Sequence, residues 1–204
     1  ISHFVIPNKP MYRIFTIKDI EELKGFTGDW IVQEKYNGVR VQLHKIDNNV
    51  KVFKYDGSEI TSKCPNQVKE LKKKKYGDCI LDAELILFKG EDSLNRTKTL
   101  EYLEGKDSFD DTHVLRCHVF DIMRHDNMNM MEREMRDRIS TLFNNYSSHS
   151  STEIAFPSKK DTREADNMKD LEEYSKSIFN LPTYEGVVIK DATSTYYLGT
   201  KKNP

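Results

Sequence analysis

Charged side chains stand in this chain where strand-like sequence should not want them. Lys35 closes the apolar-rich run Trp30 to Glu34 and is followed by Tyr36-Asn37-Gly38. Asp82 and Glu84 interrupt Ile80 to Phe88, and Asp121 sits inside His118 to Met123. Glu185 opens and Lys190 closes the stretch Gly186-Val187-Val188-Ile189. Burying an isolated charge is expensive, so such groups pair with one another or face a cleft. A single charge of this kind is at home on the solvated side of a half-exposed sheet. So many in one small domain point to a shared polar cleft, where cations and carboxylates can act on a charged ligand. Asp82 and Glu84 share strand parity, so both leave the same face. Glu185 and Lys190 have opposite parity, which predicts a bulge or a place for Lys190 past the strand end.

The elements that must position these residues are legible in the hydrophobic pattern. Val39 to Lys45 alternates, with Val39, Val41 and Leu43 on one face and Arg40, Gln42 and His44 on the other. Gln42 and His44 are either companions of Arg40 in the cleft or ordinary exposed strand residues. Asp47-Asn48-Asn49 reads as a turn and Val50 to Phe53 resumes the strand, so a hairpin is expected. Pro65 to Tyr76 reads as a helix, with Lys72 to Lys75 as a solvated face. Strands are expected at Cys79 to Phe88, His113 to Met123, Glu153 to Phe156 and Tyr184 to Asp191, with a helical turn near Leu100 to Leu103. Apolar residues at helical spacing run from Met131 to Tyr146 and again from Met168 to Phe179. The expected class is α+β: one domain over residues 1–204, antiparallel sheet with flanking helices around a cleft.

Composition narrows the function classes. The 204 residues carry 32 Lys and Arg against 33 Asp and Glu, a formal net charge of −1. That excludes a globally basic nucleic-acid binder but not a local basic groove. The three cysteines form no CxxC pair, so neither a zinc site nor a disulfide framework is expected, and a reducing compartment, cytoplasmic or nuclear, is the simplest reading. No run approaches the ~20 apolar residues of a membrane helix, so no membrane partner is expected. The chain starts without Met and ends at Lys201-Lys202-Asn203-Pro204 without a closing element, as a cut piece of a longer protein would.

Taken in order, the charged positions resemble a motif series. Glu34-Lys35-Tyr36-Asn37-Gly38-Val39-Arg40 resembles the KxDGxR motif of covalent nucleotidyltransferases: ATP-dependent DNA ligases, RNA ligases and mRNA capping enzymes. Leu81-Asp82-Ala83-Glu84 resembles the motif whose glutamate contacts ribose. His118-Val119-Phe120-Asp121-Ile122 resembles the motif whose aromatic ring stacks on the nucleobase, and Glu185 to Lys190 is similar to EGxxxK. Arg40-Val41-Gln42-Leu43-His44-Lys45 and Glu59-Ile60-Thr61 resemble the archaeal and eukaryotic-type DNA ligases in particular.

The resemblance implies an ATP-grasp-like adenylation domain in which Lys35 takes AMP from ATP, then passes it to a 5′-phosphate at a nick in duplex DNA. It implies catalytic roles for Lys35, Arg40 and Lys190. Nucleotide contacts would come from Gln33, Glu34, Arg40, Glu84, Phe120 and Lys190, and Glu185 and Asp121 would orient Mg²⁺ or Lys35. A monomer is the default. The chain departs from the pattern at Asn37, where the usual residue is Asp, and near Tyr55, where an Arg is usual. The terminal KxK segment and the oligonucleotide-binding-fold domain that follow in the family are absent from the sequence. An RNA ligase, a GTP-using capping enzyme and an inactive nucleic-acid-binding module stand as the alternatives.

Overall fold

The computed structural model describes residues 28–179 and 186–196 and, as backbone, Tyr12–Phe15. In chain order the strands are β1 (Tyr12–Phe15), β2 (Trp30–Lys35), β3 (Val39–Ile46), β4 (Asn49–Lys54), β5 (Cys79–Lys89), β6 (Asp92–Ser93), β7 (His113–His125), β8 (Met128–Asn129), β9 (Ile154–Ala155), β10 (Thr162–Ala165) and β11 (Gly186–Asp191). The helices are α1 (Pro65–Leu71), α2 (Arg96–Leu103), α3 (Met135–Asn145) and α4 (Met168–Phe179).

The strands form two sheets. The larger runs β4-β3-β5-β7-β8, with β6 on β5 and β9 on β7. All of its ladders are antiparallel except the short β7–β9 pair. The smaller runs β1-β11-β2-β10, antiparallel throughout. The expected α+β class with antiparallel sheets and flanking helices is what the chain adopts.

Alternation builds the large sheet. Val39, Val41 and Leu43 of β3 enter the main core with Leu81, Ala83, Leu85 and Leu87 of β5. The β3–β4 hairpin turns at Asp47 and Asn48, whose φ values of 49° and 63° match the two-residue turn that right-handed strand twist favours. The opposite face of β3 is not exposed: Gln42 and His44 are both buried, with His44 Nε2 and Gln42 Oε1 2.9 Å apart.

A second, smaller core of Val32, Ala165, Leu171, Ile178, Val187 and Ile189 packs α4 onto one face of the small sheet. The other face of that sheet is left for the cleft. Asn95 caps α2 by accepting from the Lys98 backbone N–H (2.9 Å), so the single turn expected there becomes a two-turn helix.

Two expected boundaries shift, and one expected face is paired. The helix expected to reach Tyr76 stops at Leu71, after which the backbone closes three-residue turns (Lys73 N–H to Glu70 O and Tyr76 N–H to Lys73 O, both 3.1 Å) and the buried Lys45 donates to the carbonyls of Lys73 and Tyr76 (3.0 and 2.8 Å). Lys73 and Lys75 are not simply solvated; both bind the buried Glu70 (2.7 and 2.8 Å). The helix expected from Met131 begins at Met135, where the Met135 and Arg136 N–H groups donate to Ser194 O and Ala192 O.

Candidate active site

Two sheets of different register converge on one pocket. In the small sheet Gln33 lies opposite Val188, Lys35 opposite Gly186 and Lys190 opposite Ile31, so these side chains share the face away from α4. In the large sheet Arg40 lies opposite Glu84 and Gln42 opposite Asp82. The pocket between them is lined by Gln33, Glu34, Lys35, Tyr36, Arg40, Glu84, Phe120, Val188 and Lys190. Seven of these are the residues that the sequence singles out for catalysis or nucleotide contact; Tyr36 and Val188 join them. Lys190 lies inside β11, with an unbroken register against β2, and not past the strand end. Glu185 lies outside the described residues.

A bulge is found in β7. There Asp82 pairs with Asp121 but the next residue, Ala83, pairs with Val119, so Phe120 is an extra residue without a partner on β5. A bulge of this kind re-aims a side chain. It lets Val119 stay in the main core while Phe120 enters the pocket, and it returns Asp121 to the position opposite Asp82. Arg40 and Lys190 both stand over the Phe120 ring, at 5.6 and 4.9 Å from its centroid.

Polar contacts fix the pocket walls. Gln33 Nε2 donates to Phe120 O (3.0 Å), and its Oε1 accepts from Lys190 Nζ (2.8 Å), which sets the orientation of the amide. Arg40 Nε donates to Asp82 Oδ1 (2.9 Å) and its Nη2 to Oδ2. Tyr36 stacks on His118 (4.5 Å, 25°) and donates its hydroxyl to Asp161 (3.4 Å). Gly38 lets the chain enter β3, since a Cβ there would stand 2.3 Å from Leu85 O.

Burial changes the proton affinities. It pushes the Glu84 carboxyl up to about 8, against the opposing pull of Arg40 and Lys35, while Asp82 adds to the rise. It pulls the Lys190 ammonium down to about 8, with Arg40 lowering it further and Asp121 and Asp82 opposing. Both groups therefore change charge near the working range of an acid–base catalyst. His118 falls to about 4, first by burial and then by Arg116, so it is a neutral ring beneath Tyr36.

Against known families, residues 13–203 match the model described as ATP dependent DNA ligase domain. The chain belongs to this ATP-dependent DNA ligase domain family. It is 27% identical to a DNA ligase of Methanococcus aeolicus over 96% of this chain, and 25% identical to one of Sulfolobus acidocaldarius over 96%. These matches cover 34% and 33% of the relatives' lengths, so the chain spans about a third of the curated relatives it matches. Among solved structures, the ligase domain of M. tuberculosis LigD superposes with a TM-score of 0.62 at 14% identity, covering 97% of this chain and 54% of that one. The bacteriophage T7 ATP-dependent DNA ligase complexed with ATP gives 0.51 at 17% identity, covering 92% and 64%. These likenesses show the fold of a ligase nucleotidyltransferase domain.

Two departures of this ligase domain from its motif series have a structural counterpart. Asn37 Oδ1 accepts the backbone N–H of Arg96 (3.1 Å), so an amide oxygen suffices to tie the loop after β2 to the start of α2. Tyr55 places its ring 5.5 Å from the Arg40 guanidinium, while Lys54 turns to Asp56. Asp121, expected to orient Mg²⁺ or Lys35, is buried with both carboxylate oxygens on Arg138 (2.8 and 3.2 Å) and one also on the Ile122 N–H. The bulge that turns Phe120 into the pocket is what delivers Asp121 to that guanidinium. Among the described residues no cluster of three or more His, Cys, Asp or Glu side chains could hold a metal ion.

The sequence missed Tyr36, Asp161, Arg138 and Tyr196. Tyr36 sits inside the first motif and could have been found there. The others carry no local signal, because their partners lie on other strands.

Proposed function

We propose that this ligase domain is the self-adenylating unit of a DNA-joining enzyme. The observation that carries the reading is Lys35 at the rim of a pocket holding two further cations, a base-sized aromatic ring and a buried carboxyl. ATP binds with adenine on Phe120 and its amine read by Gln33 or Glu34, and the ribose hydroxyls meet Glu84. The neutral Lys35 amine attacks the α-phosphorus. An N–P bond forms, the bond to the bridging oxygen of the β-phosphate breaks, pyrophosphate leaves and the amine proton passes to solvent. Arg40 and Lys190 stabilise charge on the phosphate oxygens.

Magnesium would be carried mainly by triphosphate oxygens and water, as is usual for Mg²⁺ on nucleotides, and Glu34 of the pocket lining would be available to it. When bound it withdraws charge from the phosphates. Transfer of AMP to a 5′-phosphate at a nick in duplex DNA, and displacement by the 3′-hydroxyl, fall to the longer enzyme and to parts of the relatives that this chain does not cover. We place the protein in a reducing compartment, cytoplasmic or nuclear, and read it as a monomer. The three cysteines are buried and free, and among the described residues no helix is long and apolar enough to cross a membrane.

The test is an intact mass after incubation with ATP and Mg²⁺. The expected result is a gain of one AMP that Lys35→Ala abolishes. Labelling from GTP but not ATP would overturn the choice of nucleotide, and an adduct that survives Lys35→Ala would overturn the nucleophile. Nicked DNA and nicked RNA offered to the full-length protein separate the two ligase readings.

A further inference from the structure

Arg40 and Lys190 come from different sheets, yet both must address one phosphate. Something must hold the two sheets at a fixed separation. The segment after β11 is continuous with the strand that carries Lys190, and it is fastened to the rest of the domain at several points. Ala192 N–H donates to Asp29 O (3.0 Å), Ser194 O accepts from Met135 N–H and Arg138 Nη1 (2.7 and 3.1 Å), and Tyr196 N–H donates to Met131 O (2.8 Å).

At its end the Tyr196 side chain is buried. Its hydroxyl donates to Asp82 Oδ2 (2.8 Å) and lies 3.4 Å from Arg40 Nη2. Its ring lies 5.8 Å from the Arg138 guanidinium. Asp82 and Asp121 are register partners, and like charges so placed repel. Arg40 neutralises the first and Arg138 the second, and Tyr196 stands between the two pairs.

We propose that Tyr196 is a positioning residue for lysine adenylation: its hydroxyl locks Asp82, and Asp82 in turn aims Arg40 into the pocket. The inference rests on the adenylation reading above. A ring alone would fill the same space, so a purely structural tyrosine would be replaced by phenylalanine without consequence. The hydroxyl instead supplies a third donor to a fully buried carboxylate, and without it that carboxylate holds Arg40 through the guanidinium contacts only.

The experiment measures the rate of Lys35–AMP formation against ATP concentration for the parent chain, Tyr196→Phe, Arg40→Ala and the double variant. Tyr196→Phe is expected to lower the saturating rate about tenfold, the size of one hydrogen bond to a charged group, with the thermal midpoint little changed. In the Arg40→Ala background the same change is expected to cost less than about twofold, because the hydroxyl acts through Arg40. A rate for Tyr196→Phe within about twofold of the parent, or an equal loss in both backgrounds, overturns the proposal. If Tyr196→Phe fails to fold, Asp82→Asn takes its place, with the same expected loss and the same silence in the Arg40→Ala background.

A parent chain that forms no adduct counts against the adenylation reading. The positioning inference is then judged by NMR exchange of the Arg40 Nε–H, which Tyr196→Phe is expected to speed by about tenfold. Unchanged exchange overturns it.

Discussion

Replacing Arg138 with methionine removes the one guanidinium that neutralises Asp121. Arg138 is 1% exposed and Asp121 2%, so neither can turn to water. The guanidinium spends its donors on both Asp121 oxygens and on the carbonyls of Arg133 and Ser194 (2.7 and 3.1 Å). Methionine fills much of the stem volume but leaves Asp121 as a buried charge opposite Asp82. Breaking a buried pair from one side costs about 3–5 kcal/mol, against a total stability of about 5–15 kcal/mol for a domain. Asp121→Asn strands the opposite charge, but the two carbonyls still hold it, so a somewhat smaller loss is expected. The double variant leaves no unpaired charge and should be more stable than the sum of the single losses by about 2 kcal/mol or more. Urea unfolding, with the midpoint and slope fitted for all four proteins, measures this cycle. A loss below about 1 kcal/mol for Arg138→Met, or strict additivity, would refute the argument. The same variants test whether Asp121 takes part in metal binding. The Mg²⁺ concentration that half-saturates adduct formation should be unchanged in Asp121→Asn, whereas a metal ligand would shift it.

Three further outcomes are expected. Gly38→Ala forces a Cβ to 2.3 Å from Leu85 O, so β3 must move away from β5; a loss of about 2–3 kcal/mol by urea unfolding is expected, and a neutral result would mean that the contact relaxes freely. Glu84 holds a proton up to about pH 8 in the folded chain, whereas the unfolded carboxyl loses it near 4.5. Between those values the folded state binds more protons, so this group makes stability fall as pH rises, by at most about 1.4 kcal/mol per unit, and the full loss is present above pH 8. Glu84→Gln should remove that slope, and parallel stability curves for parent and variant from pH 5 to 8 would contradict the assignment. Phe120→Ala removes the stacking surface and should weaken ATP binding by about 1–3 kcal/mol in a calorimetric titration, with little change if the ring belongs only to the core.

Much of this domain could be read from local pattern. The period-two stretch at Val39 to Lys45, the Asp47-Asn48 turn and the helix at Met168 to Phe179 are set by neighbours along the chain, so the sequence alone marks them. Charged residues inside apolar strands also announced the cleft, because a buried charge must have a partner or a ligand. The short β10 strand, Thr162–Ala165, went unseen: four mixed residues carry no alternation, and the segment becomes a strand only because β2 offers an edge, with Thr162 opposite Gln33.

The identities of the partners were beyond the sequence for the same reason. Asp82, Asp121 and Glu84 look alike as acids in strands, yet one binds Arg40 and Tyr196, one binds Arg138 and one faces the pocket with its proton retained. That division depends on the extra residue at Phe120 in β7 and on where α3 and the segment after β11 come to rest. The sequence determined which chemistries were present and on which faces of their strands most of them lie. Tertiary structure decided which charges neutralise each other and which stay available for a ligand, because that depends on distances between strands far apart in the chain.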